Sequence, residues 1–297
     1  MINVILLTGF LGSGKTTCLN QLLPRLARAN KRVAVVMNEF GSVGVDGKLI
    51  DGVVRPVELQ NGSIFCVCIR DNFLAAMAKL AEELKPEIVV IEATGVADPF
   101  EMGDFLAYPG LLGIYRLYRT VTLIDAINFP KVIQTLRAAR AQAEAADVFV
   151  ITKTDLVDWE GSVDLGNLLV QLNPTALQIV APFCRLSGTE WELVLGLTQA
   201  VAAGRQYSVR QPARDPIVSV TLSIGPFADI TSAREAIARA LPPNTLRAKG
   251  FIDISGRPHL FQYTMGKAEV TDVNGRVEKT GQLVVIGLNL RRDQIPL

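Results

Sequence analysis

The segment Gly9-Phe10-Leu11-Gly12-Ser13-Gly14-Lys15-Thr16 constrains this chain more than any other feature. It satisfies G-x-x-x-x-G-K-[ST] in full, and it has the required context: an apolar run at 4–7 before it and a helical pattern at 16–23 after it. Glycines at these positions let the backbone curl so that successive amides point inward at phosphate oxygens, while the helix N-terminus adds partial positive charge. Lys15 is placed to reach the β- and γ-phosphates of a nucleoside triphosphate, and the Thr16 hydroxyl to ligate Mg²⁺. Gly9, Gly12, Ser13, Gly14 and Thr17 complete the expected cradle.

The rest of the chain supplies a fold for such a loop. Short β-branched apolar runs at 4–7, 32–37, 87–91, 120–124, 148–151 and 178–180 alternate with helical patterns at 16–23, 72–84, 99–106, 128–145 and 190–203. Most of the strand candidates are continuous rather than alternating, as expected of strands covered on both faces of a parallel sheet. This predicts an α/β class protein with a doubly wound, mostly parallel sheet. Pro24 is expected to end or kink the first helix. Gly, Gln, Arg, Ser and Pro interrupt the pattern before residue 217, which sets a nucleotide domain at 1–204, a linker at 205–216 and a smaller α+β domain at 217–297. There the order is a strand at 217–224, a helix at 231–240 and strands at 248–254, 259–264, 268–273 and 282–288, with turns at Ser255-Gly256 and Asn274-Gly275.

Composition narrows the class. With 49% hydrophobic and 20% charged residues, the 297-residue chain has ample material for a core. A net charge of +1 gives no reason to expect nucleic acid as a partner. No apolar run reaches the ~18 to 20 residues of a membrane span, so no membrane partner is expected. The opening residues show no secretory leader, and 4 cysteines in such a length are no disulfide framework, so a reducing cytoplasm is the expected compartment.

A second motif closes the strand at 148–151: Thr152-Lys153-Thr154-Asp155-Leu156. A carboxylate there can accept hydrogen bonds from the N1 and 2-amino donors of guanine, a pair that adenine lacks. Lys153 is expected to pack along the base and bridge to the phosphate loop. The motif resembles the guanine signature N-K-x-D, with Thr in place of Asn. The competing reading is a polar strand end that caps the next helix.

Taken with Asn38-Glu39-Phe40-Gly41-Ser42-Val43-Gly44-Val45-Asp46, Glu58-Leu59-Gln60-Asn61-Gly62, Ile91-Glu92-Ala93-Thr94-Gly95-Val96-Ala97-Asp98-Pro99 and Arg247-Ala248-Lys249-Gly250, the chain resembles the CobW-type metallochaperone GTPases, relatives of the nickel-insertion GTPases, over nearly its whole length. The resemblance implies a slow GTP-hydrolysing switch that serves a metal- or corrinoid-dependent client enzyme or a cofactor-maturation protein. It implies GTP, GDP and Mg²⁺ as ligands, with Zn²⁺, Co²⁺ or Ni²⁺ as the transition metal, and it leaves room for a homodimer. Glu92, ending a strand, is suited to hold Mg²⁺ or its water shell. Gly95 is suited to offer an unencumbered amide to the γ-phosphate. Glu39 sits on the switch segment, where it is expected to serve both Mg²⁺ and a second metal.

The chain departs from its relatives at the thiolate cluster. Where the family carries N-G-C-x-C-C, this chain reads Asn61-Gly62-Ser63-Ile64-Phe65-Cys66-Val67-Cys68, so the usual three-thiolate site is absent. Cys66 and Cys68, in an extended segment, would point to one face and share an ion, with Glu39 as third ligand by analogy. The competing reading is a pair of ordinary buried or redox-active thiols. Cys18 and Cys184 are read as packing residues, and His259 as a structural histidine. Two other functions stay open: a P-loop ATPase or small-molecule kinase, if Asp155 has no role in base recognition, and a GTP-dependent regulator that does not usefully hydrolyse.

Overall fold

The computed structural model describes residues 1–28, 32–38, 56–59, 67–196, 215–273, 277 and 280–296. The chain divides into two compact units, Met1–Arg214 and Asp215–Leu297.

The first unit is built on β1 (Ile2–Thr8), β2 (Val33–Asn38), β3 (Pro56–Leu59), β4 (Ile88–Glu92), β5 (Tyr115–Asp125), β6 (Val148–Thr152) and β7 (Leu177–Val180). They form one sheet in the order β3-β2-β4-β1-β5-β6-β7, every pair parallel. The helices are α1 (Lys15–Arg28), α2 (Val67–Lys79), α3 (Phe100–Leu106), α4 (Phe129–Val132), α5 (Arg137–Glu144), α6 (Trp159–Leu172) and α7 (Gly188–Leu195). The continuous apolar runs are explained by two cores. Ile5 and Leu7 of β1 join Leu19 and Leu22 of α1 and Trp191 of α7 on one face. Val4 and Leu6 join Phe73 and Met77 of α2 and Met102 of α3 on the other.

Several expected boundaries move, each for a physical reason. α1 does not end at Pro24 but runs on to Arg28, because continuing it buries Leu26 beside Leu22 and Leu23, which offsets the lost amide bond. α2 starts at Val67, before the expected 72, and passes into a π-helical turn at Leu80–Leu84 that ends on left-handed Lys85. The helix expected at 128–145 is two helices, because Leu136 is extended and buried between them. α7 stops at left-handed Gly196, and the remainder of the expected 190–203 helix lies outside the described residues. β3 and α6 have no counterpart in the sequence reading. Pro56 argues against a strand, yet it opens one at the sheet edge, where its missing donor costs little. In α6, Gly161 and Gly166 weaken the helical pattern, but Asp158 caps it, accepting from Gly161 N at 2.8 Å.

The second unit is a five-stranded antiparallel sheet, β11-β10-β9-β12-β8, of β8 (Ile217–Ser223), β9 (Thr245–Ile254), β10 (Arg257–Thr264), β11 (Lys267–Asp272) and β12 (Gln282–Leu288). α8 (Ile230–Ala240) starts at an Asp229–Ser232 capping box and sets Ala233 and Ile237 against Leu222, Phe261 and Val285. Ser255-Gly256 is the expected two-residue turn, with Ile254 opposite Arg257. Asn274-Gly275 lies outside the described residues. Among the described residues no helix is long and apolar enough to cross a membrane.

One buried contact gives a pH test of this packing. The Tyr115 hydroxyl, at the start of β5, donates to Met77 O of α2 at 2.7 Å, and burial pushes its pKa up to about 12. A phenol whose pKa rises on folding stabilises fully below its unfolded value near 10, and that contribution is lost as pH rises toward 12. Tyr115→Phe should lose about 1 kcal/mol at neutral pH. In urea titrations from pH 8 to 12, the gap between wild type and variant should close at the alkaline end. A gap that stays constant would mean that the hydroxyl is not buried as described.

Candidate nucleotide site

The site grows from the C-terminal end of β1. This strand is flanked by β4 and β5, the point at which the chain order reverses across the sheet and where α/β folds open a ligand crevice. Gly9, Gly12 and Gly14 take φ of 132°, 77° and 99°, so the loop after β1 follows a path that L-residues resist. Among the described residues, the amides of Gly12, Gly14, Thr16 and Thr17 donate to no backbone or side-chain acceptor. They form an unfilled row of donors at the start of α1. Lys15 folds over the loop and donates to Gly9 O at 2.9 Å and Phe10 O at 3.2 Å.

Two elements meet the loop from the β4 side. Glu92 lies level with Leu7 and Met37 at the strand ends and accepts from Thr16 Oγ1 at 2.8 Å. A hydroxyl and a carboxylate oxygen make a hard donor pair that fits Mg²⁺. Buried hydroxyls cluster near it along the chain: Thr8 Oγ1, Ser13 Oγ and Thr94 Oγ1 make no hydrogen bond. Leaving such groups dry costs about 1 to 3 kcal/mol each, which a polar ligand would relieve. Gly95 follows, packed so tightly on the loop that a Cβ would fall 2.5 Å from Leu11 Cδ2 and 2.6 Å from Leu11 N.

On the β6 side the structure corrects one expectation. Lys153 does not bridge to the phosphate loop. Its left-handed backbone turns it to Asp125, with Nζ 2.6 Å from Oδ2. Asp125, buried at the end of β5, also accepts from the Ile127 and Asn128 amides and from Asn128 Nδ2. The bridge to the loop is made by Thr152, whose Oγ1 lies 2.9 Å from Ser13 O and 3.2 Å from Ile124 O. Asp155 is exposed on the short turn Thr154–Leu156 and makes no hydrogen bond or ion pair among the described residues. The sequence reading missed Asp125 and the role of Thr152. The available signal was a carboxylate directly after the apolar run at 120–124, parallel to the one at Glu92.

The expected transition-metal ligands fall largely beyond view. Glu39 and Cys66 lie outside the described residues. Cys68 sits in the first turn of α2, so the chain is helical rather than extended at that residue. Among the described residues no group of three or more His, Cys, Asp or Glu is positioned for a metal. His259 is tied on both ring nitrogens, to Asp272 Oδ1 at 2.9 Å and Arg257 O at 3.1 Å. Cys18 and Cys184 are buried in the core beneath α1, as free thiols. Contact with Cys184, then burial, pushes the Cys18 thiol well above its usual range.

The Leu11–Gly95 approach is testable. Because one of the three Leu11 atoms in the way is backbone, Gly95→Ala should cost about 1 to 3 kcal/mol by thermal or urea unfolding. Unchanged stability would show that the 94–97 loop stands away from the phosphate loop.

Residues 3–179 match the family described as CobW/HypB/UreG, nucleotide-binding domain, and residues 217–296 match the cobalamin synthesis protein cobW C-terminal domain. The chain is 28% identical to a Sinorhizobium protein named zinc chaperone CobW, over 97% of this chain and 93% of that protein. It is 29% identical to the zinc chaperone YjiA of Escherichia coli, over 99% and 96%. The crystal structure of a Zn(II)-bound YjiA GTPase from E. coli is similar at 26% identity, covering 99% of this chain and 96% of that one, with a TM-score of 0.49.

Proposed function

The chain belongs to the CobW/HypB/UreG family, and from that premise we propose that it is a GTP-hydrolysing metallochaperone, a switch whose nucleotide state governs delivery of a transition metal to a client. The observation that carries this reading is the convergence of three segments on one strand end. The donor row at 12–17, the Thr16–Glu92 pair and Thr152, which opens the 152–155 turn, all meet at the close of β1. The zinc chaperones similar to this chain support Zn²⁺ as the cargo.

In this reading the amides of Gly12, Gly14, Thr16 and Thr17 hold the α- and β-phosphates, and Lys15 exchanges its two loop carbonyls for the β- and γ-phosphates. Thr16 and Glu92 would hold Mg²⁺, which when bound neutralises phosphate charge. Asp155, exposed and without a partner among the described residues, accepts from guanine, while Lys153 is held by Asp125 at the base side. Gly95 and its neighbours report the γ-phosphate. Turnover without a partner is slow, since positioning and charge neutralisation are all these residues supply. Cys66, Cys68 and Glu39 remain the metal ligands of this proposal, with affinity below that of a three-cysteine site.

Base choice is checked first. Wild type should bind GTP and not ATP in a calorimetric competition, and Asp155→Asn should weaken GTP by about 10- to 100-fold, since charge-assisted acceptors are lost. Equal affinity for ATP would redirect the assignment to an ATPase or kinase. Metal coupling is checked by titrating Zn²⁺ and Co²⁺ into wild type and the Cys66→Ser, Cys68→Ser double variant, each with GDP and with a β,γ-imido GTP analogue. GTP-state and GDP-state affinities should differ by about 5- to 150-fold in wild type and not in the variant. Equal affinity in all four conditions would sink the metallochaperone reading.

A further inference from the structure

Gln142 lies on α5, outside every nucleotide motif and 47 residues after Gly95, and it is 1% exposed. A buried carboxamide needs partners, and this one reaches across to the loop that follows β4. Its Nε2 donates to Gly95 O at 3.3 Å and to Ala97 O at 3.0 Å. Both partners are carbonyls, so the amide nitrogen and not its oxygen must face the loop. Gln142 is itself seated, because the buried Thr122 Oγ1 of β5 donates to Gln142 O at 2.9 Å. The end of α5 is pinned by Asn173, whose Nδ2 meets Ala143 O, Glu144 O and Ala146 O at 3.0, 3.2 and 2.8 Å.

The loop has two sides. Ala97 N closes it on Thr94 O at 3.1 Å, and Gln142 takes the carbonyls of Gly95 and Ala97. Gly95 presents its Cα to Leu11 of the phosphate loop. The amides of Gly95 and Val96 have no acceptor among the described residues. Two donors without acceptors therefore belong to a loop whose carbonyls are held from α5 and whose Gly95 abuts the phosphate loop.

We propose that Gln142 is a positioning residue for γ-phosphate recognition: by holding the carbonyls of Gly95 and Ala97, it keeps the Gly95 and Val96 amides aligned for a terminal phosphate. The inference rests on the nucleotide-switch reading above and adds to it a residue that touches no nucleotide. Gln142 makes the loop's readiness for GTP a property of α5. A group that only stabilised the fold would affect both nucleotides alike. A group that aligns the loop affects only the ligand that carries a γ-phosphate.

The test uses the full chain and two fluorescent nucleotides, GDP and the β,γ-imido GTP analogue, each with Mg²⁺. Gln142→Met keeps the volume and removes the donor. It should weaken the GTP analogue about tenfold, the worth of one to two net hydrogen bonds, and leave GDP within about twofold. Single-turnover GTP hydrolysis should slow at saturating nucleotide. Thr122→Val, a milder change that removes the tie to the Gln142 backbone carbonyl and loosens the seat of its side chain, should move the same ratio by less and in the same direction, and it serves if the Met variant does not fold. A wild type that prefers the GTP analogue, with variants that keep the same preference, would overturn this inference alone. A wild type that binds both nucleotides equally would overturn the switch reading along with it.

Discussion

β1 is hydrogen-bonded on both edges and buried on both faces, and the position of its C-terminal end governs everything functional in the first unit. Such a strand has no freedom to slide. Slipping its register by one residue would exchange Ile5 and Leu7 with Val4 and Leu6 between two differently shaped cores. The loop that follows can therefore hold a high-energy path, with three glycines at positive φ and a row of amides without acceptors among the described residues, because its anchor cannot relax. Glu92 and Asp125 inherit the same rigidity. Each closes a strand hydrogen-bonded to β1 and presents a carboxylate on one side of the loop.

The parts of this arrangement that follow local rules could be read directly from the chain. The phosphate loop, the continuous apolar runs and the two-residue turn at Ser255-Gly256 each have a signature within a few residues. The Thr152-Lys153-Thr154-Asp155 turn was legible as a motif, but the direction of Lys153 was not. That direction depends on a left-handed backbone angle and on Asp125, which lies 28 residues earlier. That the helix does not end at Pro24 was illegible for the same kind of reason. The proline's local cost is real, but the burial of Leu26 beyond it is a tertiary gain. β3 was hidden by Pro56, and α6 by its two glycines. Gln142 carried no signal at all. A glutamine among alanines and arginines reads as a solvent-facing helix position until the fold buries it.

The ties around the loop are unequal, and the inequality suits a switch. On the β6 side, Asp125 is a buried carboxylate held by one lysine and three amide donors, while Thr152 bonds directly to Ser13. Breaking such a set is expensive, since a buried charge would lose its partner. On the β4 side the 94–97 loop is held, among the described residues, by one neutral amide and one internal turn bond. Neutral hydrogen bonds contribute about 1 kcal/mol each, so this latch has the same size as an ordinary allosteric coupling of ~1 to 3 kcal/mol. A charged latch would hold the loop in one position whatever the nucleotide. With no latch, the loop would pay the full ordering entropy each time GTP binds. A pair of neutral bonds lies between these limits, so that in the proposed switch gain or loss of a single phosphate would be enough to decide where the loop rests.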